Sequence, residues 1–301
     1  MKDRIDRIEA LIQQDVGRGV NALFAASRGG LFQAVSALSA ARPRYVGILT
    51  GFFVPRADPA AAETDGPAGA ALLALALSRM GVRCRVLTDA ACRSACEAAL
   101  MGSGLAGAGV TVPVDAVAPD ADLTPTIEAW RAHGIDWMIA IERCGLSADG
   151  RPRNMRGEDV GAFAAPLDHV FTAGPWRTIA IGDGGNEVGM GALPAELVAR
   201  EIPRGATIAC VTPAEFLVTA GVSHWGAYGL IAGLAVHDAA SREMLLECLD
   251  PETERRILTT LVRNGPAVDG VTLGRTNTID GLELAAHEVV RDGVLAVARG
   301  G

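Results

Sequence analysis

Carboxylate and amide side chains crowd into one short stretch, Thr178–Gly191, TIAIGDGGNEVGMG. An apolar β run (Ile179, Ala180, Ile181) leads into Gly182, Asp183, Gly184, Gly185, Asn186 and Glu187. A strand that ends in a glycine-flanked acid and resumes as a helix puts these groups at the carboxyl edge of a parallel sheet, where open α/β folds bind ligands. The glycines let a ligand approach the backbone closely. A plain turn needs no Asp, Asn and Glu so close together, so the stretch is a site candidate.

Other acids follow other apolar runs: Glu63 and Asp65 in ETDGP, then Asp89, Asp115, and Glu142 in IERCG. Asp89, Asp115 and Asp65 also read as helix caps. With parallel strands, all these acids fall along one edge. Oxygen donors without paired histidines favour Mg²⁺, Mn²⁺ or Ca²⁺ over zinc. Glu142 at the end of an apolar strand calls for a cation. Arg143 is either that partner or the ligand of a substrate carboxylate, with Glu142 on a metal. Two further patches are binding candidates: Arg151–Arg156 (RPRNMR), with Asn154 and Arg156, and Thr219–Gly226 (TAGVSHWG), with Ser223 and His224 at a helix start.

The elements that must position these groups alternate. Helices are expected at 4–16 and 31–41, then a strand at 45–53, a helix at 68–80, a strand at 83–88 and a helix at 89–101. Strand 110–117, helix 124–133 and strand 136–141 follow. The irregular stretch 143–174 carries one weak helix near 157–163. Strand 177–182 enters the acidic motif; strand 206–211 and helices 213–221, 225–247 and 251–264 come next, with a last strand at 293–298. This pattern predicts an α/β fold: a mainly parallel sheet of six or seven strands with helices on both faces, a three-layer sandwich. It is read as one domain over 1–301, with N-terminal helices 1–41, a sheet core 45–212 and a helical part 213–301.

Composition narrows the chemistry. Half of the 301 residues are apolar, enough for a sizeable core, and the net charge of −8 with no basic patch argues against nucleic acid. Lys2 is the sole lysine, which argues against a pyridoxal phosphate Schiff base, an imine-forming aldolase and a Walker A loop. No GxGxxG follows the first strand, which argues against NAD. The six cysteines lack a CxxC and read as free thiols of a reducing compartment. No apolar run is long enough to span a bilayer and no signal-peptide segment is visible, so the expected location is the cytoplasm. A homo-oligomer is left open.

Together ETDGP (63–67), ERCG (142–145), the Asn154–Met155 pair, GDGGNEVGMG (182–191), AGVSHWGAYGL (220–230) and the VDGV and IDGL turns resemble the D-glutamate cyclase-like domain family. The likeness runs from GRGV at 17–20 to IDGL at 279–282. In longer mitochondrial relatives this domain follows a hydro-lyase-like domain; here a stand-alone form is expected. The resemblance implies a lyase that interconverts D-glutamate and 5-oxo-D-proline with loss of water, using a divalent metal, Mn²⁺ first. On that reading Glu63, Asp65, Asp183 and Glu187 hold metal, Glu142 is a further ligand or the base, and Asn186 orients substrate or water. Arg143, Asn154, Arg156, Ser223 and His224 contact substrate.

Two other readings remain. GDGGNE also resembles the acid loop of haloacid dehalogenase-like phosphatases, and Asp120–Thr124 (DADLT) fits their nucleophile motif, so a metal-dependent phosphoester hydrolase is one alternative. A non-catalytic sensor of a metal or carboxylate metabolite is the other.

Overall fold

Along Tyr45–Gly51 (β1) successive side chains leave on opposite faces of a sheet, as the strand repeat requires. Val46 and Ile48 join one apolar core, Tyr45 and Leu49 another. The division recurs in Trp137–Arg143 (β4), where Ile139 and Ile141 face Met138 and Ala140 across the sheet, and in Arg177–Gly182 (β5), where Ile179 and Ile181 oppose Ala180. Burial on both faces explains why these strands read as continuous apolar runs.

The computed structural model describes all residues, Met1–Gly301. With Arg83–Asp89 (β2), Val114–Val117 (β3) and Phe216–Thr219 (β6), the strands form a six-stranded parallel sheet ordered β3-β2-β1-β4-β5-β6. One face is covered by helices that include Lys2–Ile12, Asp65–Arg79, Ser223–His237 and Leu284–Arg299; Asn21–Ser27, Thr124–His133 and Asp168–Ala173 cover the other. The order reverses between β1 and β4, whose following helices lie on opposite faces, and a crevice opens there at the carboxyl ends of the strands.

Helix Ser223–His237 is buried from Ser223 to Val236. A Cβ on Gly226 would sit 2.3 Å from the Ile181 side chain, so the glycine sets how closely this helix lies on β5.

The three-layer α/β arrangement matches the sequence reading, but some elements differ. Residues 206–211 are not a strand: Gly205–Ile208 is a helical turn, and the sixth strand is Phe216–Thr219, inside the expected helix 213–221 and beyond the sheet boundary placed at 212. The expected long helix 225–247 is broken after His237 and resumes as Arg242–Leu246. Residues 293–298 belong to helix Leu284–Arg299, and the helix near 157–163 gives way to Asp168–Ala173. All six cysteines are free and buried, and no helix is long and apolar enough to cross a membrane.

Gly226→Val should lower the unfolding free energy by about 2–3 kcal/mol by overpacking the helix against β5, measured by chemical denaturation.

Candidate active site

A bulge in the sheet starts the site. Thr50 of β1 pairs with Ile141 and Gly51 with Arg143, so Glu142 is the extra residue of β4. Its φ of 42° lies in the left-handed region. Bulges re-aim side chains, and here Glu142 lines the crevice while its neighbour Arg143 does not.

Four segments complete a cavity of about 280 Å³. Glu63 comes from the turn before helix Asp65–Arg79, with Gly270 beside it; a Cβ on Gly270 would lie 1.9 Å from Glu63 Oε1, so a larger residue there would push the carboxylate out of its present place. Asp183, Asn186 and Glu187 come from the loop after β5, Asp280 from the turn before helix Leu284–Arg299, and Arg18 from the loop after helix Lys2–Ile12. The rim carries Phe52, Phe53, Arg56, Asn154, Met155 and Arg156. Asp269 shapes the far wall: its carboxylate accepts from the backbone N–H of Val271, Thr272 and Gly281, which fixes the turn that presents Asp280 at φ 55°.

The floor is short of positive charge. Arg18 bridges Asp183 Oδ1 at 2.5 Å and Asp280 Oδ1 at 2.6 Å. Asp65 is fully buried at the helix start, and neither of its oxygens has a hydrogen-bond partner; Asp280 Oδ2 has none either. One carboxylate oxygen each from Asp65, Asp183 and Asp280 lie within 4.8 Å of one another, as do oxygens from Glu142, Asp183 and Glu187. Burial, reinforced by neighbouring carboxylates, pushes Glu63, Asp65 and Glu142 well above the usual carboxylate range. The same causes raise Glu187 and Asp280 to about 7. Such an oxygen set suits a hard divalent cation, and a buried carboxylate with no partner is the group that a cation would satisfy.

The candidate residues separate by what they touch. Glu63, Glu142, Asn154, Arg156, Asp183, Asn186 and Glu187 line the cavity, and Asp65 lies beneath it. Glu187 is largely engaged already: its Oε1 accepts from the backbone N–H of Asp183 (2.9 Å) and Gly184 (2.7 Å), its Oε2 from that of Gly185 (2.8 Å). Asn186 donates to the Arg153 carbonyl, and Asn154 accepts from the backbone N–H of Arg156 and Glu158, so both amides hold the rim loop.

Arg143, Ser223 and His224 are not placed to contact a substrate in the cavity. The Arg143 guanidinium is buried against Asp89 and the carbonyls of Gly51 and Ala165, because the bulge turns it to the opposite side from Glu142. His224 is buried against Glu254 at 2.8 Å. Ser223 stands behind the acids: its Oγ donates to Glu142 Oε2 (2.6 Å) and its backbone N–H to Asp183 Oδ2 (3.0 Å). Asp115 holds Arg85 and Trp130 away from the cavity.

Sequence reading missed Arg18 and Asp280 as site residues. Their only local signal was the glycine around each, in GRGV and IDGL, and a turn alone explains that.

The fold is a doubly wound α/β sheet with an acid-lined crevice at its reversal point. The chain belongs to the family described as D-glutamate cyclase-like, C-terminal, which matches residues 8–292. It is similar to the human protein named D-glutamate cyclase, mitochondrial, with 32% identity over 245 residues, covering 77% of this chain and 39% of that protein. The chain therefore spans about two fifths of that relative's length.

Two predictions follow from the buried charges. Asp89→Asn strips Arg143 of its counter-ion and should cost about 3–5 kcal/mol of stability, read by denaturant unfolding. Glu187 and Asp280 keep protons in the folded state that the unfolded chain releases near pH 4, so their stabilisation is full below about pH 4 and is lost as pH rises through about 7. The thermal midpoint of metal-free protein should accordingly fall between about pH 5 and pH 8. A divalent cation should restore it more at the higher pH, as differential scanning calorimetry can test.

Proposed function

We propose that this protein is a divalent-metal-dependent lyase that interconverts D-glutamate and 5-oxo-D-proline with loss of water. The observation that carries the reading is Asp65, entirely buried and unpartnered, beside Asp183 and Asp280. Membership of the D-glutamate cyclase-like family supports the reaction class. Asp65, Asp183 and Asp280 would hold the cation, with Glu142 and Glu63 facing the substrate. Relative to the set expected from sequence, Asp280 joins Asp65 and Asp183, Glu63 moves to the substrate side, and Glu187 is left out because its carboxylate braces its own loop. Mn²⁺ is the proposed ion, with Mg²⁺ and Ca²⁺ meeting the same oxygen donors.

In the forward reaction the amine nitrogen bonds to the γ-carbon and a C–O bond breaks. Two protons leave nitrogen and both end on the departing oxygen as water. A bound cation would polarise the γ-carboxylate and stabilise charge developing on its oxygen. Glu142, raised above the ordinary carboxylate range by burial and oriented by Ser223, is suited to accept the ammonium proton. Glu63, on the same cavity, can relay a proton towards the leaving oxygen. Arg156 on the rim offers a cation to the α-carboxylate. Phe52 and Phe53 give the cavity an apolar part of its lining.

The phosphatase reading loses its nucleophile motif. Asp122 Oδ1 accepts from the Thr124 backbone N–H, an exposed bond at the start of helix Thr124–His133, and neither Asp120 nor Asp122 lines the cavity.

Purified protein with Mn²⁺ should interconvert D-glutamate and 5-oxo-D-proline, followed by proton NMR, and leave p-nitrophenyl phosphate intact. Phosphoester turnover, or a ligand-induced thermal shift without any turnover, would reject the lyase reading. Asp65→Asn should keep the fold by circular dichroism. It should weaken Mn²⁺ binding by at least the roughly 10–100-fold that losing an outer-shell partner costs, with activity falling in parallel. Unchanged Mn²⁺ affinity removes Asp65 from the cation site.

A further inference from the structure

Arg18 is the one basic side chain on the floor of the acidic cluster, and it grips two residues of the proposed cation set. One guanidinium nitrogen lies 2.5 Å from Asp183 Oδ1 and the other 2.6 Å from Asp280 Oδ1. Beside them, Asp65 is fully buried with both oxygens unpartnered. The one formal positive charge on this floor is thus a planar fork that spans two carboxylates.

The way Arg18 is mounted differs from the way Arg143 is. Arg143 is entombed, with its pairing to Asp89 closed off by backbone carbonyls. Arg18 rides on a surface loop and keeps 21% of its side chain exposed. Asp15 holds that loop from below, accepting from the backbone N–H of Gly17, Arg18 and Gly19. Gly17 and Gly19 take φ of 94° and 74°, with no packing atom within 4 Å of where a Cβ would stand. The anchor fixes the backbone, while the partly exposed side chain reaches the acids from a surface loop rather than from the core.

We propose that Arg18 is an internal counter-ion that competes with the divalent cation for Asp183 and Asp280 and, once displaced, supplies the positive partner of a substrate carboxylate. A dication among the same oxygens would repel the guanidinium, and the cavity that Arg18 lines is where an anionic substrate group would meet it. Binding is then ordered: the cation enters first and creates the carboxylate site. The inference rests on the cation site proposed above.

The test is isothermal titration of the full chain with Mn²⁺ alone and then with glutarate, an unreactive dicarboxylate. Arg18→Gln should bind Mn²⁺ about tenfold more tightly than wild type, because the competing charge is gone. Glutarate should bind wild type only after Mn²⁺, and should bind Arg18→Gln weakly with or without the ion. Arg18→Lys keeps the charge but loses the fork, so its Mn²⁺ affinity should fall between the two; it also serves if the Gln variant does not fold by circular dichroism. Equal or weaker Mn²⁺ binding by Arg18→Gln, or metal-independent glutarate binding by wild type, overturns the Arg18 proposal while leaving the cation site in place. Absence of Mn²⁺ binding by wild type and both variants overturns the cation site, and this inference with it.

Discussion

Everything at the carboxyl edge of the sheet is governed by the cost of keeping carboxyl groups close together and out of water. Glu63, Asp65, Glu142, Asp183, Glu187 and Asp280 share the crevice floor, with Arg18 as their guanidinium. Burying one ionised carboxylate without a partner is already expensive, and like charges add to the cost. The fold meets it in three ways. Helix and loop N–H groups donate to Asp183 and Glu187, Arg18 bridges Asp183 and Asp280, and burial shifts Glu63, Asp65 and Glu142 upwards, towards their neutral form.

The surrounding architecture keeps these groups from relaxing away from one another. Glu142 is aimed by a bulge, Asp280 by a turn tied to Asp269, and Asp183 by the N-terminus of a buried helix. Each support comes from a different part of the chain, and the helix behind Asp183 lies close on β5 at Gly226. Acids held together this way cost stability, a trade common at functional sites, and the proposed cation would relieve that cost.

Much of this was legible in the sequence because the relevant signals are local. β1, β2, β4 and β5 stand out as apolar runs, and Glu63 and Asp183 fall just past strand or turn boundaries as read, while Glu142, read as following its strand, is the bulge residue inside β4. What failed was non-local or ambiguous over a short span. ATIACV has strand-like residues, yet a Cβ on Gly205 would lie 1.9 Å from the Val198 carbonyl oxygen, and so close a backbone crossing suits a tight helical turn. Phe216–Thr219 is too short for periodicity to separate strand from helix. Gly293 masks the spacing of Val290, Val294, Val297 and Ala298 that marks the last helix. Arg143 looked like a ligand because it follows Glu142, but consecutive residues at a bulge need not share a side. Arg18 and Asp280 lie far apart in sequence and meet only because both terminal regions return to the same edge.

That return also explains why the irregular parts of the chain carry so much of the site. The sheet supplies Glu142 and a platform; the loop after β5, the loop after the first helix, the ETDGP turn and the IDGL turn supply the other charges. A doubly wound sheet of this strand order could serve many chemistries, since fold alone does not fix function. What narrows the field here is the imbalance between oxygen donors and positive charge at one reversal point. A nucleotide phosphate would be repelled by that floor, whereas a dication and an amino acid's ammonium group would both be drawn to it. The α-amino dicarboxylate proposed as substrate would present its ammonium group to the acids and a carboxylate to a rim arginine.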